Sequence, residues 1–286
     1  MTRQRGWNGL HFTLPEDCED IVSGERHLLI EKDFLPVMEI RWELPAEKKQ
    51  TATIDSVVRQ FKKSTSNECR EVPPPRHLAK FAKENAICCL QTDNANEGIS
   101  LIWQYRKCRT LILCRIYTHP AVFNDDISKT LQSISCHHQS DQPTLWSVQD
   151  FQLQIPAIYR LAGYSFQAGL TRLLFEDKAT RLLFCRMAPA SDRLADKSLD
   201  ELLFSLDDRL SKDNIEENNA QTASAGTSPS LMGQILLRLK RKKAFCQGII
   251  RHDHSMNRIL AIICESNHPI EPDSIQSLFS HYEIIS

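Results

Sequence analysis

Apolar and polar residues alternate along several short stretches of this chain, a period of two that predicts strands. Leu10-His11-Phe12-Thr13-Leu14 and Phe151-Gln152-Leu153-Gln154-Ile155 both alternate and both stop at a proline, as a first or edge strand does. Residues 27–34 and 37–44 read as strands joined by a Leu35-Pro36 turn. Leu170–Glu176 and Thr180–Met187 read as a second such pair, joined around Lys178-Ala179. Further strands are predicted at 86–91, 99–105, 111–117, 244–251 and 259–265.

Elsewhere the period changes to that of a helix. Ile54, Val57, Val58 and Phe61 form an i, i+3, i+4, i+7 stripe behind Thr53, and Leu199, Leu202, Leu203 and Leu206 form another behind Ser198. Thr53 and Ser198 suit the N-cap, because their hydroxyls can accept from backbone N–H groups that the first turn leaves unpaired. Closing helices are predicted from about Asn124, with Ile127, Leu131 and Ile134 on one face, and from about Asp273, with Ile275, Leu278 and Phe279.

These elements come in the same order twice, at a separation of about 145 residues. Leu28-Leu29-Ile30-Glu31 matches Leu173-Leu174-Phe175-Glu176, and Arg109-Thr110-Leu111-Ile112-Leu113 matches Arg258-Ile259-Leu260-Ala261-Ile262. Trp7 and Trp146 precede the two opening strands, and His119-Pro120 and His268-Pro269 follow the last ones. The pattern predicts an α+β protein made of two tandem repeats, each an antiparallel sheet packed with helices. The first repeat covers 1–138, a linker 139–145 and the second 146–286. Residues 211–230, rich in Asn, Ser, Thr, Ala and Glu without apolar periodicity, read as a disordered loop.

With this order of strand, strand pair, capped helix, antiparallel strands and terminal helix, each half resembles the PsbP-like fold. That fold includes the extrinsic PsbP proteins of photosystem II, bacterial DcrB-like proteins and a small Ran-binding nuclear protein. The resemblance is one of element order and carries no residue-level motif. It implies an α/β/α sandwich in each half and a binding or assembly role.

Composition narrows the classes. The 286 residues are 41% hydrophobic and 25% charged, with a formal net charge of −1, so no overall basic excess points to nucleic acid or an anionic membrane. Nine glycines are few for folds built on glycine-rich phosphate loops. No apolar run is long enough for a membrane span and no secretory leader is evident, so a cytoplasmic protein is expected. In that reducing setting the ten cysteines, several of them inside apolar strands, read as small buried hydrophobes rather than disulfide partners.

Three clusters could carry chemistry. Cys136-His137-His138, with Cys108 and Cys114 upstream, offers soft ligands but none of the paired spacings of a zinc site. His252 and His254 would share a strand face, yet Ser255-Met256-Asn257 makes them the flank of a turn. Arg238, Lys240, Arg241, Lys242 and Lys243 form the densest basic run and are the expected partner-binding residues. No catalytic set, resident metal or cofactor is expected, and no small-molecule ligand is identifiable. The leading expectation is a non-catalytic binding or assembly protein that engages a protein partner through its two-domain surface. The alternatives are a thiol- or metal-dependent enzyme using Cys and His, and a nucleic-acid-associated protein using the 238–243 run.

Overall fold

A computed structural model describes residues 2–44, 53–64, 69–92, 98–117, 125–136, 142–219, 221–239 and 242–285. The chain divides into two units, Met1–Ser140 with Thr144–Gln149, and Asp141–Pro143 with Asp150–Ser286.

Unit 1 begins with β1 (Thr2–Trp7), β2 (Leu10–Pro15), β3 (Cys18–Gly24), β4 (His27–Lys32) and β5 (Leu35–Glu43). Then follow α1 (Ile54–Ser64), β6 (Cys69–Glu71), α2 (Ala79–Asn85), β7 (Cys88–Thr92), β8 (Gly98–Gln104) and β9 (Leu111–Tyr117). Helix α3 (Asp125–Ser133) and strands β10 (Ser135–Cys136) and β11 (Thr144–Val148) complete it. Unit 2 contains β12 (Phe151–Ile155), β13 (Arg160–Gln167), β14 (Leu170–Glu176), β15 (Thr180–Met187), α4 (Ala190–Arg193) and α5 (Leu199–Phe204). It continues with β16 (Ile215–Asn218), β17 (Thr222–Thr227), α6 (Leu231–Leu239), β18 (Phe245–Asp253), β19 (Arg258–Ser266), α7 (Pro272–Ser280) and β20 (Tyr282–Ile284).

The expected α+β sandwich does not hold. Among the described residues strands make up 49% and helices 23%, in three antiparallel sheets of six to seven strands. The sheet of unit 1 runs β3-β4-β5-β9-β8-β7-β6, and that of unit 2 runs β13-β14-β15-β19-β18-β17-β16, in the same order. Unit 1 adds the strands β10-β2-β1-β11, and unit 2 the pair β12-β20. The helices are too few and short to form the layers of an α/β/α sandwich: α4 has four residues and α5 six.

Strands that the pattern did not predict account for much of the difference. β3 points Asp20 inward, which inverts the expected alternation. β16 and β17 lie inside 211–230, so this stretch is not a disordered loop. Ala223 and Ala225 are buried there, small enough to pack without an apolar signature, and β17 pairs with β18 from Thr222↔Arg251 to Thr227↔Cys246. Thr144 and Leu145, read as the end of a linker, belong to β11.

Other expectations can be placed residue by residue. Thr53 Oγ1 accepts from the Ser56 N–H at 3.2 Å while Ser56 Oγ accepts from the Thr53 N–H at 3.0 Å, a reciprocal cap at the start of α1. Ile54, Val57, Val58 and Phe61 then pack on Leu90, Ile102 and Leu111. In unit 2, Ser198 and Glu201 form a capping box, and α5 lays Leu199, Leu202 and Leu203 on Ala225, Ile250 and Ile263. Around Tyr282, fully buried, Phe151, Phe184 and Phe279 sit edge-on with ring centroids 5.7, 5.2 and 6.2 Å away.

Candidate functional site

The turn between β4 and β5 is Asp33-Phe34, not Leu35-Pro36, because β4 and β5 are paired right up to Lys32↔Leu35. A two-residue hairpin loop of the type I′ kind needs positive φ at both positions to match the strand twist. Asp33 has φ 51° and Phe34 φ 62°. A bulky aromatic in the left-handed region is uncommon, and this one is 90% exposed at the hairpin tip.

Beneath the tip lies a cavity of about 220 Å³. Leu14 of β2, Cys18 of β3, Ile30 of β4, Val37 and Met38 of β5, and Ile127 of α3 form its apolar wall. Its other lining residues include Asp17, Lys32, Asp33, Asp126 and Thr130. Lys32 Nζ lies 2.5 Å from Asp17 Oδ2. The hydrogen bond from Lys32 holds the Asp17 carboxyl below its ordinary value, and the same bond raises Lys32. A neighbouring recess is lined by Glu16, Asp17, Glu19, Glu31, Asp33 and Phe34. Six carboxylates therefore surround this part of unit 1, with one lysine among the lining residues. An apolar hole with an anionic rim can accept an apolar group that carries a positive charge next to it.

The thiol in the wall is a poor nucleophile. Burial, helped by Asp17, pushes Cys18 up to about 11. The same desolvation lifts Cys89 to about 11 and Cys185 and Cys264 to about 12, and raises Cys114 and Cys246 further. None of the ten cysteines is joined in a disulfide, and Cys69 and Cys88 are the two that are not fully buried.

The clusters singled out in the sequence lie outside the lining of this cavity and its neighbouring recess. Cys136 lies in β10, where its Sγ is 3.2 Å from Thr110 Oγ1, which also meets Cys108 Sγ at 3.0 Å. Cys114 sits apart in β9, and His137 and His138 lie outside the described residues. His252, the penultimate residue of β18, lies against His254 with ring centroids 3.8 Å apart and ring planes tilted by 44°. Desolvation, then the charge of His254, lowers His252, while Asp253 accepts from the Met256 N–H and the Ser255 hydroxyl to close the turn. Among the described residues no group of three or more His, Cys, Asp or Glu side chains is placed to hold a metal ion.

Arg238 falls in α6, and the Lys242 N–H donates to the Leu237 carbonyl at 2.9 Å beyond its end. The Lys243 carbonyl accepts from Arg209 Nη1 at 3.0 Å, and Lys240 and Arg241 lie outside the described residues, as do His119 and Pro120. No helix among the described residues is long and apolar enough to cross a membrane.

Periodicity gave no sign of the acidic cavity, although composition held one. Glu16-Asp17-Cys18-Glu19-Asp20 places four carboxylates in five residues, across the β2–β3 turn and the start of β3. Compared with models of protein families and with curated proteins, the chain matches none.

Proposed function

We propose that the chain is a non-catalytic binding or assembly protein, and that unit 1 receives an apolar, lysine- or arginine-flanked segment of a protein partner. The observation that carries this reading is the apolar cavity beneath Phe34 with carboxylates at Asp17, Asp33 and Asp126. An apolar side chain of the partner fills the space between Ile30, Met38 and Ile127. Its flanking cations meet the carboxylates, and Phe34 and Leu35, both exposed, add contact area at the edge.

The test is fluorescence anisotropy with a labelled peptide of leucine and phenylalanine flanked by lysines, against the same core flanked by glutamates. The lysine peptide is expected to bind and to weaken as salt rises. Asp17→Asn and Asp126→Asn each weaken it by about threefold, the size of an exposed ion pair. Ile127→Trp, which fills the cavity, abolishes binding while leaving the far-UV circular dichroism unchanged. Equal binding of the two peptides, or binding that survives Ile127→Trp, overturns the reading.

A further inference from the structure

Helix α6 is the exception among the helices of unit 2. Leu231, Met232, Ile235, Leu236 and Leu239 are 80%, 67%, 53%, 52% and 76% exposed, and no apolar residue of α6 is among the buried core, whereas α4 buries Ala190, α5 Leu199, Leu202 and Leu203, and α7 Ile275 and Phe279. At 100° per residue these five side chains fall on an arc of roughly 140°, one continuous face. The helix is already capped: Ser230 Oγ accepts from the Gly233 N–H at 3.3 Å, and the Ser230 carbonyl accepts from the Gln234 N–H at 2.9 Å. Charge follows directly in the sequence. From 231 to 243 there are five basic residues, Arg238, Lys240, Arg241, Lys242 and Lys243, and no carboxylate. The chain's overall charge of −1 conceals this local excess.

We propose that α6 seats its apolar face in the interfacial layer of an anionic phospholipid membrane, with the neighbouring cations on the headgroups. Two observations select this occupant. Five large apolar side chains on one short, outward-facing helix match a fluid surface that yields to each of them, and the adjoining charge is wholly of the sign that anionic headgroups attract. A preformed helix also spares the cost of ordering a coil at the interface. Contact of this kind places a helix in the interface plane, unlike a span, and needs nothing from the cavity of unit 1.

The experiment is co-sedimentation of the full chain with phosphatidylcholine vesicles that contain or lack phosphatidylserine. The chain is expected to partition onto the anionic vesicles at least tenfold more strongly than onto the neutral ones, and to be released by high salt. Ile235→Ser with Leu236→Ser, at exposed positions, abolishes partition without changing the melting temperature. Arg238→Gln with Lys242→Gln weakens it about tenfold. In a second measurement, Ile235→Trp is quenched by brominated lipid, whereas the native Trp7, Trp42, Trp103 and Trp146 are buried and remain unquenched. No partition onto anionic vesicles, or partition that survives Ile235→Ser with Leu236→Ser, overturns the proposal. So does self-association that those two substitutions abolish in the absence of vesicles, since a protein surface would then cover α6.

Discussion

Arg5 donates through Nε to Asp20 Oδ1 at 2.6 Å, and both side chains are 1% exposed. All three nitrogens of the guanidinium are engaged: Nη1 donates to Ser147 Oγ at 2.9 Å and Nη2 to the Gln149 carbonyl at 3.0 Å. Removing one partner leaves the other charge buried without compensation, which costs about 3–5 kcal/mol, whereas replacing both with apolar residues of similar size is nearly neutral. Asp20→Leu and Arg5→Met should each lower the midpoint of chemical denaturation strongly, and the double variant should recover most of the loss. Denaturation of the four members of this cycle checks it, and additive losses would show that the pair is not coupled.

This ion pair also explains what could be read from the sequence and what could not. Helices α1 and α5 were legible because cap and apolar stripe are local signals: Thr53 with Phe61, Ser198 with Leu203. Strand β3 was not, since Asp20 faces inward and only Arg5, fifteen residues away, makes that tolerable. β17 was hidden because Ala223 and Ala225 pack by being small. The Asp33-Phe34 turn was misplaced because Pro36 looked like a turn residue, whereas β5 takes it near its start, where a bulge between Ile30 and Glu31 shifts the pairing. The wall of the cavity draws on β2, β3, β4, β5 and α3, a convergence that no local pattern encodes.

Acid should act on unit 2 through Asp150. Burial alone would raise this carboxyl, but hydrogen bonds from Arg186 and from Arg258 Nε, the latter at 2.7 Å, outweigh it and hold it below its ordinary value. A lowered carboxyl contributes stability that is fully present above its unfolded value, about 4, and is lost as pH falls through the folded one. Melting temperature should therefore fall as pH drops below about 4, and Asp150→Asn should flatten that fall. Asp207, also lowered despite burial by Arg209, keeps the slope of the variant from vanishing. An unchanged slope in Asp150→Asn would contradict the assignment.

Gly6 in β1 faces Ser147 in β11, and a Cβ added there would overlap the Leu145 carbonyl oxygen. The obstacle is backbone, so it cannot rotate away. Gly6→Ala should destabilise unit 1 by about 2 kcal/mol, within the range for forced overpacking. It should also loosen the edge-on contact of Trp7 and Trp146, whose ring centroids are 5.3 Å apart. Equilibrium unfolding and near-UV circular dichroism read the two effects, and a variant as stable as the parent would rule out the close approach.

The thiols should label in two classes. Cys69 and Cys88 are only partly buried, although burial raises the Cys88 thiol too, whereas the other eight are buried, several with thiols raised to about 11 or beyond. Iodoacetamide at neutral pH should modify Cys69 and Cys88 first, and all ten only in denaturant, as intact mass and peptide mapping would show. Fast native labelling of Cys18 would mean that the cavity wall opens readily.

The role proposed for Phe34 sets stability against binding. Its left-handed backbone conformation is costly for an aromatic residue, and a two-residue turn of this kind is best served by Asn-Gly. Asp33→Asn with Phe34→Gly should raise stability by roughly 1 kcal/mol, since glycine relieves the conformation at no steric cost. The same change removes an exposed aromatic and a carboxylate beside the cavity, so the lysine-flanked peptide should bind at least tenfold more weakly. If Phe34 serves contact, as proposed, the two measurements move in opposite directions. If binding is unchanged while stability rises, Phe34 plays no part in recognition and the site is confined to the cavity below it.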